Sequence, residues 1–327
     1  MSNAPAVLIT GGTGTTGSRL ATLLRGQAAV RVATRKPSDG AHVRFDWADP
    51  ASHRPSVAGV DCIYLVAPVG VADPAPLVEP FLAAALRAGV RRVVLLSSSA
   101  IAEGAPSLGV LHRMVRTSVP EWAVLRPSWF MQNFLGEHPL AAGIRASGEI
   151  VTATGAGRVA FVDAADIAAV AARALLDRVP HNTAHVITGP EALSYADAAA
   201  IITESSGRTV RHRPVSTAEL TARLIAAGIP AEFAEILAGL DADIRRGAED
   251  RVTSTVRSVT GRPPRSFAEF VTAHQDAGGH AGSFAGLSCG SSSRSPKHPR
   301  THTACSSGGR VGHIGPRRGG ATRDRRP

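Results

Sequence analysis

Thr10-Gly11-Gly12-Thr13-Gly14-Thr15-Thr16-Gly17 follows the apolar run AVLIT at residues 6–10 and leads directly into SRLATLLR at residues 18–25. The first run reads as a buried strand, and the segment after the glycines carries the apolar spacing of a helix. Gly11, Gly14 and Gly17 stand at G-x-x-G-x-x-G spacing. Between a strand and a helix, such a loop lets the chain turn tightly, brings backbone N–H groups close to a pyrophosphate, and lets the helix pack against the sheet. Gly11, Thr13, Gly14, Thr15, Thr16 and Gly17 are the expected phosphate cradle.

Outward from the loop, short β-branched runs alternate with helical patterns. Residues 30–34 form a second strand, 42–45 a short third and 61–67 a fourth; a helix over 75–88 stops at Gly89, and strands follow at 92–97 and 122–126, the last ended by Pro127. Continuous apolar strands alternating with helices imply a parallel sheet covered on both faces, a doubly wound, Rossmann-type α/β fold. Beyond Pro127 the pattern predicts short strands at 149–154 and 158–161, a helix over 164–177, a strand at 185–188, a helix capped by Ser194 and running to 205, and helices over 217–227 and 232–246. The expected organisation is a nucleotide-binding core at 1–135, a small α/β substrate lobe at 136–276 interleaved with the last core strands, and a basic Gly/Ser/Arg-rich tail at 277–327, read as disordered.

The tail explains a misleading charge. The 327 residues carry 36 Lys and Arg against 26 Asp and Glu, a formal +10 that suggests a polyanion binder. Residues 277–327 hold nine of those bases and one acid, so the first 276 residues carry 27 bases and 25 acids, a net +2. Basic residues in the tail are not interleaved with the aromatics that stacking on nucleic acid uses, so no specific nucleic-acid role is expected. Hydrophobic residues at 44% of the chain suffice for a sizeable core. The amino terminus lacks the pattern of a signal peptide, and no apolar run approaches the ~18 residues of a membrane span. Three cysteines, Cys62, Cys289 and Cys305, make neither a disulfide framework nor a metal site. These features predict a cytoplasmic protein, monomeric or homodimeric, with no metal.

The strand ends supply the rest of the expected site. Arg35 and Lys36 end the second strand, where NAD binders carry an acid for the ribose 2′-hydroxyl; a base there suits a 2′-phosphate, which argues for NADPH over NADH. The alternative is a solvated basic turn. Asp46 is placed either to meet the adenine or to form a turn. Ala67 and Pro68 close the fourth strand beside the expected nicotinamide ribose. Ser97, Ser98 and Ser99 close the fifth as contacts to ribose, nicotinamide or substrate, or as caps.

These pieces resemble the atypical short-chain dehydrogenases known as NmrA-like proteins, above all the ergot alkaloid biosynthesis type reductases, with the NAD(P)H:quinone reductases next. The resemblance is carried by ITGGTGTTGSRLA (9–21), VATRKP (32–37), GVRRVVLLSSS (89–99), AVLRPSWFMQNF (123–134), GRVAFVDAADIAAVAARAL (157–175) and ITGPEALSYADAA (187–199). It covers nearly all of 6–274 and none of the tail. It implies an NADPH-binding domain with a small substrate lobe, used for hydride transfer in secondary metabolism or, in regulatory members, for sensing nicotinamide nucleotides; Pro127 falls on the cofactor-binding edge.

Carbonyl-reducing members of the wider group use a Tyr-x-x-x-Lys pair, in which Lys lowers the Tyr pKa so that it protonates an alkoxide. Here Tyr64 is followed at that spacing by Pro68 and Tyr195 by Ala199, so the pair is absent. An iminium carbon takes hydride without a proton and a quinone needs little help, so both remain. Trp129, Phe130, Met131 and Phe134 are read as pocket lining for flat apolar or cationic rings, or else as core, with Asn133 and Gln132 as orienting groups or backbone partners. His112, on the helix after the fifth strand, and Ser98 are the candidate catalytic groups; the alternative for His112 is a surface histidine. Asp163 and Asp166 read as a turn and helix cap.

Overall fold

The computed structural model describes residues 4–275. The tail expectation at 277–327 lies outside the described residues. From the amino end the chain forms β1 (Ala6–Ile9), α1 (Thr15–Leu23), β2 (Ala29–Thr34), β3 (His42–Arg44), α2 (His53–Ser56), β4 (Cys62–Val66), α3 (Ala75–Arg87), β5 (Arg92–Leu96), α4 (Leu108–Ser118) and β6 (Glu121–Pro127). It continues through α5 (Pro139–Ser147), β7 (Glu149–Thr152), β8 (Arg158–Val159), α6 (Ala164–Leu176), β9 (Thr183–Ile187), β10 (Leu193–Ser194), α7 (Tyr195–Ser206), β11 (Arg211–Pro214), α8 (Thr217–Ala226), α9 (Ala231–Arg245), α10 (Thr255–Thr260) and α11 (Phe267–Gln275).

Seven strands form one sheet in the order β3-β2-β1-β4-β5-β6-β9, and every pair in it is parallel. The order reverses between β1 and β4, and a crevice therefore opens at their carboxyl ends. Both sheet faces are covered. Leu8, Ile63, Leu65, Val93 and Val124 pack with Val78 and Phe81 of α3 and Leu111 and Val115 of α4. Val7, Ile9, Tyr64, Val94 and Leu125 pack on the other side with Leu20 of α1, Ile167 and Ala171 of α6 and Val256 of α10. This is the doubly wound Rossmann-type architecture that the alternating pattern implied.

A third cluster, around Phe134, Phe161, Tyr195, Phe267 and Phe270, fills the later part of the chain. Two small ladders brace it, β11 parallel to β7 and β10 antiparallel to β8. The expected cap at Asp163 is present: its carboxylate accepts the Ala165 N–H at 2.9 Å and meets Arg265 Nη1 at 2.8 Å. Ser194 and Asp197 form a reciprocal capping box on α7.

Several boundaries differ from the sequence expectation for physical reasons. Helix α1 starts at Thr15 and not at residue 18, because close packing of Gly17 on the loop holds weak helix formers in helical geometry. Strand β8 ends at Val159, before the expected 161, because the Phe161 N–H turns back to the Val159 carbonyl. Helices α2, α5, α10 and α11 and strands β10 and β11 are absent from the sequence expectation. Pro139 opens α5 with the His138 side chain as its cap, a start that the apolar pattern does not mark.

Candidate functional site

The glycine loop lies at the carboxyl end of β1. Gly11 adopts φ +64°, the left-handed region that glycine fills without strain. A Cβ on Gly17 would land on the Gly11 carbonyl oxygen and 2.8 Å from Gly12 Cα, so the first turn of α1 rests directly on the loop. Gly12 is equally confined, because a Cβ there would come 2.7 Å from Val32 Cγ1. Gly14 is the N-cap of α1 and brings no side-chain cap, and no acidic residue stands in the first turn. The leading N–H groups of α1 and its positive dipole end are thus left for an anion. Thr10 locks the loop to β4: its hydroxyl accepts the Val66 N–H at 2.7 Å and contacts the Tyr64 and Val66 carbonyls at 3.2 and 3.1 Å.

A cleft of about 500 Å³ opens beside this loop, lined by Gly11, Thr13, Thr34, Arg35, Asp46, Trp47, Ala67 and Pro68 among others. Arg35 is exposed, and its guanidinium has neither a hydrogen-bond nor an ion-pair partner among the described residues. Lys36 is exposed beside it, with its backbone N–H donating to Thr34 Oγ1 at 3.3 Å, but it does not line the cleft. Asp46 lines the cleft and also forms a turn, its Oδ1 accepting the Ala48 N–H at 3.0 Å. Confined glycines and an uncapped helix start fit a dinucleotide, and the unpaired guanidinium of Arg35 stands at the edge of the same cleft. Thr15, Thr16 and Gly17 lie in the first turn of α1, where the Thr16 hydroxyl accepts from Tyr64 at 3.1 Å.

The ends of β5 and β6 bring together a second set of polar groups. Ser98 Oγ accepts the Ala100 N–H at 3.3 Å and so acts as a turn cap. Ser99 Oγ donates to the buried Glu249 at 2.6 Å, and Glu249 lies 3.1 Å from Arg251. Ser97 Oγ is buried with no hydrogen-bond partner among the described residues. Arg126 donates to the Ser98 and Ser99 carbonyls, and burial with Arg251 alongside lowers its pKa from the ordinary value. Pro127 is buried at the end of β6, with its carbonyl accepting the Ser99 N–H at 2.9 Å.

His112 lies on α4, as expected, but is buried and not on the surface. Its Nε2 is 3.9 Å from Glu103, its ring centroid 6.3 Å from that of Trp122, and its Nδ1 has no partner among the described residues. Burial pushes its pKa below the usual imidazole value, against the opposing charge of Glu103.

The segment leaving β6 runs into a second cavity of about 600 Å³. Trp129 and Asn133 line it. Phe130 packs instead against the core on the α1 and α6 side, and Met131 and Phe134 are buried in the third cluster. Gln132 serves the backbone: its Oε1 accepts the Ala164 N–H at 2.9 Å, and its Nε2 donates to Asp163 at 2.8 Å. The remaining walls come from α5, β7, α8 and α9. Tyr195 and Asp241 also line this cavity, and sequence reasoning gave neither a role there. The available signal was Asp241 sharing a helix face with Leu237 and Ile244.

Among the described residues no group of three or more His, Cys, Asp or Glu could hold a metal, and no helix is long and apolar enough to cross a membrane.

The profile of the NmrA-like family matches residues 4–242. The chain is 52% identical over 273 residues to the uncharacterized oxidoreductase YesF of Bacillus subtilis (strain 168), spanning 82% of this chain and 94% of that protein. It is 39% identical over 280 residues to agroclavine dehydrogenase of Claviceps fusiformis, spanning 81% and 96%. Its fold matches that of the NADPH-dependent quinone oxidoreductase QOR2 of Escherichia coli, solved with NADPH, at a TM-score of 0.71 and 24% identity over 82% of this chain and 99% of that one. On the profile match and these identities, the chain belongs to the NmrA-like family.

Proposed function

We propose that the protein is an NADPH-dependent reductase that delivers hydride to a C=N (iminium) bond, or to a conjugated or quinone bond, of a small apolar ring substrate. The observation that carries this reading is the pairing of two sites. The nucleotide cleft with its unpaired Arg35 opens at the carboxyl edge of the sheet, and the segment leaving β6 at that edge leads through Trp129 and Asn133 into an apolar cavity. The names of two relatives, the uncharacterized oxidoreductase YesF and agroclavine dehydrogenase, support an oxidoreductase.

Bound NADPH would supply the hydride; the chain's own groups bind, orient and exclude water. The glycine loop and α1 would hold the pyrophosphate, Arg35 would meet the 2′-phosphate, and Ala67, Pro68 and Ser97 would stand toward the nicotinamide. Neither tyrosine is activated as an acid: burial pushes both Tyr64 and Tyr195 above their ordinary pKa, and the Tyr64 hydroxyl is engaged with Thr16. A substrate carbon that is already electrophilic needs no such acid, which favours iminium and quinone over simple ketones.

The test is NADPH consumption against a panel of cyclic iminium ions and quinones, with NADP binding measured on the same preparation. Turnover with a member of the panel is expected. Tight NADP binding without turnover on any acceptor would replace this reading with a non-catalytic, nucleotide-sensing one.

A further inference from the structure

Helix α9 reads AEFAEILAGLDADIR, and Leu237, Asp241 and Ile244 fall at i, i+4 and i+7, on one face. Ile244 is buried in the third core cluster, while Leu237, Leu240 and Asp241 line the 600 Å³ cavity. A carboxylate set among leucines is costly unless its charge is answered. Asp241 Oδ2 accepts the Ala153 N–H at 2.8 Å. Its Oδ1 has no hydrogen-bond partner, and the carboxylate no ion-pair partner, among the described residues.

None of the other charged groups around it contacts the carboxylate among the described residues. Arg245, one turn along α9, donates to the Ala153 carbonyl and, at 3.1 Å, to the Val215 carbonyl, and its charge answers that of Asp241 only in part and without contact. Glu149 lies 3.7 Å from Arg213, and Arg223 lies 3.1 Å from Glu219. His138 Nδ1 accepts the Leu140 N–H, and burial lowers its pKa, which favours the neutral ring. Tyr195 is buried and its hydroxyl is unbonded among the described residues, close enough to Asp241 to feel its charge. Burial raises the Asp241 pKa to about 6, so near neutral pH the cavity holds an open carboxylate oxygen.

We propose that Asp241, with Tyr195 beside it, determines substrate specificity, and that the cavity takes a ring-bearing organic cation with its positive nitrogen at Asp241 Oδ1 and its rings against Trp129 and the leucines. This rests on the reading of the cavity as the substrate pocket and narrows it. A cation gains a charge-assisted contact in a low-dielectric site, whereas a neutral quinone strips water from the carboxylate and returns nothing.

The probes are N-methyl-dihydroisoquinolinium and its neutral carbon isostere, methyl-dihydronaphthalene, titrated calorimetrically into the NADP-saturated full chain. The wild type should prefer the cation by about tenfold or more, as an ion-pair contact in a low-dielectric cavity implies. Asp241→Asn, which keeps an acceptor for Ala153, should bind both probes alike with NADP affinity unchanged. Equal affinity for the two probes in the wild type, or a preference that survives in Asp241→Asn, overturns the proposal. The wild-type comparison stands even if the variant fails to fold, and Tyr195→Phe should weaken the preference in the same direction. NADPH consumption with the cation is scored separately: selective binding without turnover sinks the reductase reading and leaves Asp241 its role, and turnover without charge preference does the opposite.

Discussion

The nucleotide cleft is largely a backbone construction: confined glycines, the uncapped start of α1 and the ends of β2 and β4, all drawn from residues 11–77. The lobe cavity is a side-chain construction, with walls collected from residues 129–241 over helices α5, α8 and α9 and strand β7. A backbone site is specific for a constant ligand and tolerates few changes of shape. A side-chain site is retuned by single substitutions. Changes in the cleft should therefore affect every substrate equally, and changes in the cavity should redistribute activity among substrates.

The largest effect is expected at Gly17. Gly17→Val drives its Cβ into the Gly11 carbonyl, and NADP affinity measured by calorimetry should fall by about 100-fold or more. Gly14→Val, whose Cβ meets only the Gly11 oxygen at 3.1 Å, should fall in the same direction but by less. Unchanged binding in both would break the assignment of the cradle.

On the cavity side, Asp241 should carry a pH-dependent cost. Its pKa is raised from 3.8 to about 6, so the unfolded chain loses this proton first as pH rises. Folded protein holds the extra proton across that window, and stability falls through it as pH increases. Above about pH 6 the cost is on the order of 3 kcal/mol. Asp241→Asn should therefore be more stable than the wild type at neutral pH and equal to it below about pH 4, read as melting temperature across pH. A variant less stable at neutral pH would show that Asp241 serves the fold.

A smaller effect is expected at Arg35. Because its guanidinium is unpaired, Arg35→Glu should cost little stability and reduce the preference for NADPH over NADH by about tenfold. An intact preference would remove the 2′-phosphate role. The smallest effect separates the two acceptor classes: His112→Gln should change iminium turnover by no more than about threefold while lowering quinone turnover further, since only the quinone product takes up a proton. A collapse of iminium turnover would place the buried imidazole in the chemistry.

The parallel sheet was legible because its central strands are buried on both faces and so read as unbroken apolar runs. The small ladders were not. Strand β11 is Arg211-His212-Arg213-Pro214, polar and mostly exposed, and it becomes a strand because β7 offers it a parallel partner. The aromatic stretch after Pro127 divides between core and cavity wall. A short 3₁₀ turn over Met131–Phe134 sends those two residues inward, while Trp129 and Asn133 reach the cavity.

From local pattern alone the chain determined its glycine cradle, the base at the end of β2, the caps at Asp163 and Ser194, and the near-neutral charge of its first 276 residues. Each depends on neighbours a few residues apart, where backbone geometry and side-chain chemistry are written together. Tertiary structure decided which polar groups remain unanswered: Gln132 is used up on Asp163 and Ala164, whereas Asp241 and Tyr195, distant in sequence, meet in one apolar cavity with an oxygen to spare. Whether a charge is satisfied depends on every group folded against it, and no local pattern records that.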